Sequence, residues 1–100
     1  MNLESLTEEL RKRAAQNPKL GYKVKFVIED VGIIFWDGTG DQTVFSNQDG
    51  EADTVMRISA ENLEKLIAGT LDATMAYMTG KLKVEGKMGV ALKINAMFSD

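Results

Sequence analysis

The chain has no cysteine and no histidine, and these two absences remove several classes of function. Without cysteine there is no disulfide, no thiolate nucleophile and no zinc–sulfur site. Without histidine the commonest general base and the commonest metal ligand are missing. No Ser-His-Asp triad or paired-carboxylate constellation stands in their place. The sequence therefore predicts no catalytic residue, no metal site and no cofactor, and hence a protein that is not an enzyme.

Strong charge of one sign and long apolar runs are lacking as well. The formal net charge is −3 and the charges are scattered, whereas nucleic-acid binding needs a basic stripe that neutralises phosphates. The longest apolar runs are far shorter than a membrane span. Residues Met1–Glu4 do not resemble the start of a secretory signal, and the last residues are not a peroxisomal Ser-Lys-Leu address. We expect one cytoplasmic domain over residues 1–100 that does not bind nucleic acid.

The first 58 residues predict one helix followed by four strands. Leu3, Leu6, Leu10 and Ala14 recur at helical spacing, and Asn17-Pro18 ends that helix. Strands are expected near residues 22–28, 32–36, 42–46 and 52–58, from alternating or continuous apolar residues. Turn residues separate these strands, so we expect the four strands to form a meander.

The remaining residues predict two helices, a strand and a last helix. Ser59 and Asp72 are placed to cap the two helices, and Leu82 and Val84 mark the strand. Because strands come first and helices cluster late, the fold class is α+β. We expect a mostly antiparallel five-stranded sheet with helices covering one face.

The last predicted helix, from Met88 to Phe98, is apolar around most of its circumference. A surface helix needs only one apolar stripe, so this helix should be buried on two sides, or should face a cavity, a partner or a membrane. We assign the face that carries Met88, Leu92 and Ala96 to the sheet. A charge at Leu92 is therefore expected to unfold the domain.

The C-terminal third resembles the sterol carrier protein 2 (SCP-2) family. The matching pattern is a glycine-containing helix end, an Asp-capped helix, a glycine, a strand that alternates basic and apolar residues, and an apolar helix. It is carried by Leu66, Gly69, Leu71, Asp72, Ala76, Met78, Gly80, the run Lys81-Leu82-Lys83-Val84-Glu85-Gly86 and the stretch Met88–Leu92. The resemblance extends more weakly over nearly the whole chain.

This resemblance implies an apolar tunnel between the sheet and the C-terminal helices, holding a fatty acyl chain or a sterol-like body. Four of the six methionines lie in the final third, and methionine suits surfaces that adapt to varied apolar partners. The resemblance places eight candidate ligand-binding residues in the tunnel wall: Phe35, Met75, Met78, Leu82, Val90, Ile94, Met97 and Phe98.

The expected function is non-enzymatic binding and carriage of long-chain fatty acids, acyl thioesters or sterol-like lipids. Lys81, Lys83, Lys87 and Lys93 form the densest basic group, and they fit either a solvated surface or an anionic headgroup, a carboxylate or a membrane surface. The partner is thus a lipid or another apolar small molecule, with transient membrane-surface contact and a homodimer left open. The alternative is a protein–protein interaction or dimerisation module that uses the apolar last helix.

Overall fold

The computed structural model describes residues 2–98, and it contains the nine elements in the order that the sequence predicts. Their bounds are α1 Leu3–Ala15, β1 Lys23–Ile28, β2 Gly32–Asp37, β3 Val44–Ser46, β4 Thr54–Ile58, α2 Ala60–Ala68, α3 Ala73–Met78, β5 Leu82–Gly86 and α4 Met88–Phe98. Three helices are preceded by a residue whose side chain accepts a backbone hydrogen bond from the first turn: Asn2 before α1, Ser59 before α2 and Asp72 before α3.

The five strands form one mixed sheet in the order β3-β2-β1-β4-β5. The pairs β1–β2, β2–β3 and β4–β5 are antiparallel, which confirms a mostly antiparallel sheet. The pair β1–β4 is parallel, with Phe26 opposite Met56. The expected meander is therefore wrong at its last step, because β4 lies beside β1 and not beside β3.

A connection of residues 47–53 carries the chain from β3 at the sheet edge across to β4. The Asp49 carboxylate accepts from the Lys25 ammonium on β1 at 2.7 Å, and a Cβ atom on Gly50 would lie 3.1 Å from the Phe35 ring on β2. The Asp53 carboxylate accepts from the backbone N–H of Lys23 at 2.9 Å. This connection thus crosses β2 and β1 before it enters the parallel strand.

The sheet has one apolar face, which the helices cover, and one largely polar face. Alternation along β1 buries Val24, Phe26 and Ile28, while Lys23 is exposed and Lys25 partly buried on the opposite face. On that polar face Arg57 donates to Glu85 across β4 and β5 at 2.6 Å. The prediction that helices cover one face is confirmed.

The last helix is buried along one stripe, and the buried stripe differs from the one expected. Val90, Ala91, Ile94 and Phe98 are buried at helical spacing, whereas Leu92 is 45% exposed. The assignment of Leu92 to the sheet is therefore wrong. Apolar residues around most of the helix hid which stripe is buried, because no polar stripe marked the solvent side.

Candidate functional site

The structure divides the eight candidate wall residues among several environments. Leu82, Val90, Ile94 and Phe98 lie in the core, each at most 3% exposed. Met75 and Met78 lie on α3 and are 57% and 74% exposed. Met97 is half-buried beside the connection between α1 and β1. Phe35 stands apart from the other seven, on the polar face of the sheet beneath Gly50. Their contact with a ligand stays a prediction.

Side chains fill the space between the sheet and the helices. Phe26, Ile34, Trp36, Met56 and Ile58 of the sheet are at most 2% exposed, and they pack with Leu6, Leu10, Leu63 and Ile94 of the helices. The tunnel that the resemblance implies stays a prediction, since a ligand there would have to displace some of these side chains. Within residues 2–98 no helix is long and apolar enough to cross a membrane.

One polar group in this interior has no hydrogen-bond partner. The Nε1–H of Trp36 is buried and unpaired within the described residues, and the Trp36 ring lies 5.1 Å from the ring of Phe45. An unpaired buried donor costs about 1–3 kcal/mol, so a polar ligand atom that reached it would gain a hydrogen bond. The sequence offered no sign of this, because a core tryptophan usually finds a partner.

The short helix α3 is held to the rest of the domain by few side chains. Its buried residues are only Ala73 and Ala76. At its start, the Asn95 side chain of α4 donates to the Asp72 carboxylate at 3.0 Å and accepts from the backbone N–H of Ala73 at 3.0 Å. Two alanines bury little apolar area, so the polar link between Asp72 and Asn95 is a main attachment of α3.

The charge of Asp72 is stabilised by the same link. The hydrogen bond from the Asn95 side chain, followed by that from the Met75 N–H, lowers the pKa of the Asp72 carboxyl from its ordinary value. Asp72 is therefore ionised at neutral pH and acts as cap and as acceptor for Asn95 together.

A groove follows one face of α4, where that helix meets the chain between α1 and β1. It consists of a depression of about 280 Å³ and one of about 180 Å³ that share Lys93. We call it the α4 groove, and its lining residues are Asn17, Pro18, Lys19, Leu20, Tyr22, Lys87, Gly89, Val90, Lys93, Ala96 and Met97. Of the predicted wall residues, Val90 lines the smaller depression and Met97 the larger one.

Apart from Lys87, which belongs to the basic group noted in the sequence, the groove residues outside α4 were not predicted as site residues. The side of the groove opposite α4 comes from residues 17–22, about seventy positions before α4 in the chain. The one available signal was the spacing of Gly89, Lys93 and Met97, which recur every fourth residue and so share one helix face. That pattern marks a face, but it does not say what lies opposite.

Comparison with known proteins agrees with this architecture. A model of the SCP-2 sterol transfer family matches residues 3–99. A solution structure of sterol carrier protein domain 2 of Helicoverpa armigera superposes with a TM-score of 0.79 at 20% identity, covering 94% of this chain and 83% of that one. Palmitated SCP2L2 from Aedes aegypti superposes with a TM-score of 0.67 at 16% identity, covering 100% of this chain and 96% of that one.

A sequence relative is much longer than this chain. Hydroxysteroid dehydrogenase-like protein 2 of Bos taurus is 34% identical over 80 residues, which are 78% of this chain and 19% of that protein. The chain thus spans about a fifth of that relative. With a family model matched along almost its whole length, this chain belongs to the SCP-2 sterol transfer family.

Proposed function

We propose that this protein binds long-chain fatty acids, their thioesters or sterol-like lipids and carries them without chemical change. Membership of the SCP-2 sterol transfer family supports binding and transfer of lipids in general. One solved neighbour, SCP2L2 from Aedes aegypti, is palmitated, which makes a fatty acyl chain the first ligand to test. The cytoplasmic location expected from the sequence remains part of this proposal.

The observation that carries the proposal is the weak attachment of α3 over an apolar interior. This helix presents Met75 and Met78 to solvent and buries only Ala73 and Ala76. Outward movement of α3 would break few apolar contacts and would open a path toward Leu82 on β5, which α3 contacts. Flexible methionines at the entrance would then cover acyl chains of different shape.

Burial of the acyl chain supplies the driving force. Each methylene transferred from water to an apolar site contributes about 0.8 kcal/mol before the cost of ordering the chain. One methylene more or less changes affinity only modestly, so the protein should discriminate weakly among long chains. The free energy gained by burying the acyl chain also has to offset the displacement of core side chains. Long acyl chains gain more than short ones, so they should bind more tightly.

The test is a titration with a fluorescent acyl probe, followed by competition with unlabelled fatty acids of graded length. We expect saturable binding, and displacement that strengthens with chain length and then levels off. Absence of saturable binding at every length contradicts the carrier function. The control is the same titration on the same chain after thermal unfolding, which should abolish displacement.

The burial of α4 within a single chain argues against the alternative of an interaction or dimerisation module. Val90, Ala91, Ile94 and Phe98 are buried within a single chain, so the apolar character of this helix is largely explained without a partner. Leu92 is the large apolar residue that α4 leaves exposed among those described. A single leucine on one helix is ordinary for a protein surface.

A further inference from the structure

We propose that the α4 groove binds the carboxylate headgroup of a single-chain amphiphile, with Lys87 and Lys93 as its cationic contacts at the ring of Tyr22. This inference rests on the proposed lipid-carrier function and adds a chemical class to it: the ligand is an anionic amphiphile, and its charged end is recognised outside the filled interior.

The first support is the convergence of two ammonium groups on one aromatic ring. The Nζ of Lys87 lies 5.3 Å from the centroid of the Tyr22 ring, and the Nζ of Lys93 lies 5.1 Å from it. Lys87 precedes α4 and Lys93 lies within it, so helical spacing alone does not bring both to the same place. The Tyr22 ring, which stands just before β1, holds them together through cation–π contacts.

The second support is that neither of these two charges has a carboxylate partner within residues 2–98. Within residues 2–98, several cations have carboxylate partners, such as Lys25 with Asp49 and Arg57 with Glu85, while Lys19, Lys81 and Lys83 show no ion pair either. For Lys87 and Lys93 the structure shows the shared tyrosine ring and no ion pair in that part of the chain. Two like charges near one ring leave a local excess of positive charge, so binding of an anion beside this ring is favourable. The protein as a whole is acidic, which makes this local excess of positive charge stand out.

The third support is the apolar continuation of the groove. From Lys93 the groove extends along α4 to Ala96 and Met97, opposite Pro18 and the aliphatic side chain of Leu20, and its other two lining residues are the polar Asn17 and Lys19. A charged end joined to an apolar trough matches the two ends of a fatty acid. The volumes of about 280 and 180 Å³ are small for a whole ligand, since typical ligand pockets measure ~300–1,000 Å³. The groove therefore fits the headgroup and the first part of the chain.

The shape favours a free amphiphile over a membrane surface. Both depressions are shallow and open to solvent, and they lie between α4 and the chain before β1, where a single acyl chain can make closer contact than a flat bilayer surface. The exposed methionines Met75 and Met78, by contrast, are on α3 and do not line the groove.

The experiment compares palmitic acid with hexadecanol, which has the same chain length and no charge. Displacement of a neutral fluorescent lipid probe is measured for the wild-type chain, for the double variant Lys87→Gln/Lys93→Gln and for the matched control Lys81→Gln/Lys83→Gln. The control lysines are exposed outside the groove, and Lys83 lies on the polar face of the sheet. Thermal melting establishes that both variants remain folded.

Wild type and control should bind palmitate about two- to fivefold more tightly than hexadecanol, since an exposed ion pair contributes ~0.2–1 kcal/mol. The groove variant should bind the two ligands equally, with its affinity for hexadecanol unchanged. The preference of wild type should weaken at high salt, because the contact is exposed.

Three results overturn the inference. If palmitate and hexadecanol bind equally tightly to the wild-type chain, the carrier function stands and the headgroup site does not exist. If neither ligand binds, the proposed function itself fails, and the headgroup site with it. If the groove variant loses binding to phosphatidylserine vesicles but keeps its preference for palmitate, the two lysines contact membranes instead of a free carboxylate.

Discussion

Gly86 and Gly89, two glycines near the start of α4, differ in whether their positions tolerate a side chain. Gly86 has a φ of +91°, and a Cβ atom there would clash with the carbonyl oxygen of Asp53. Gly89 has no φ in the left-handed region, and a Cβ atom there would meet nothing within 4 Å. Gly86 is thus required by the close approach of two backbones, whereas Gly89 is not.

We therefore expect Gly86→Ala to destabilise the domain by at least about 2 kcal/mol, from the left-handed backbone and the clash together. Gly89→Ala should stabilise it by about 0.5–1 kcal/mol, because alanine loses less backbone entropy on entering a helix. Urea unfolding of the two variants beside wild type measures both effects. A Gly86→Ala variant as stable as wild type would contradict the backbone geometry at the end of β5.

The basic residues show how far sequence alone determines a site. Lys81, Lys83, Lys87 and Lys93 form one group in the sequence, but β5 places Lys83 on the polar face of the sheet. Only Lys87 and Lys93 reach the ring of Tyr22, which is more than sixty positions away in the chain. The clustering of lysines in the sequence indicated a basic region, but only the fold shows which of these lysines lie at the same aromatic ring.

At the scale of elements, the last helix supplies a matched pair of substitutions. Ile94→Asp buries an unpaired charge at a position that is 0% exposed, and it should cost several kcal/mol, enough to unfold a small domain. Leu92→Asp changes a residue that is 45% exposed, and it should change the free energy of unfolding by no more than about 1 kcal/mol.

Circular dichroism melting distinguishes the two variants. If Ile94→Asp is folded and Leu92→Asp is unfolded, then Leu92 faces the sheet as the sequence suggested, and the burial of α4 in the structure is contradicted.

The attachment of α3 should depend on pH through Asp72. The folded-state pKa of this carboxyl is lowered, chiefly by the Asn95 hydrogen bond, so its contribution to stability is fully present above the ordinary value of 3.8. That contribution is lost as pH falls through the lowered pKa. We therefore expect α3 to loosen in acid, below about pH 4, while the apolar core stays folded.

The variant Asp72→Asn tests this dependence, because asparagine remains a good helix cap but does not titrate. Backbone amide shifts of α3 followed by NMR during acid titration should lose their pH dependence in this variant. Asp49→Asn is the control, since the pKa of Asp49 is also lowered but its partner is Lys25 on the other face of the sheet. An α3 response that is unchanged in Asp72→Asn would show that another group controls the helix.

The elements were predictable from the sequence, while one strand pairing was not. Each helix and strand has a local signal, such as the caps at Ser59 and Asp72 or the alternation along β1. The parallel pairing of β1 with β4 depends on contacts such as Asp49 with Lys25, which are 24 residues apart. Turn residues at 47–50 predict that the chain changes direction, but not that it crosses two strands before pairing again.

At the scale of the whole molecule, the chain belongs to the SCP-2 sterol transfer family, and the buried side chains of its own sheet and helices pack its interior. The mostly antiparallel sheet and the late cluster of helices followed from the order of elements. The side-chain packing that fills the interior did not, since burial of Ile94 or exposure of Met78 depends on contacts that no periodicity encodes. A ligand bound inside the domain would require rearrangement of these side chains, and α3, which buries only Ala73 and Ala76, is the helix that we propose to move.

The most direct test of the carrier function is native mass spectrometry of the chain mixed with increasing palmitate. We predict one added palmitate per chain, with occupancy that saturates as the ligand concentration rises. A chain that remains ligand-free at every concentration, or that collects an unsaturable series of adducts, would contradict the claim that this domain binds a lipid at a defined site.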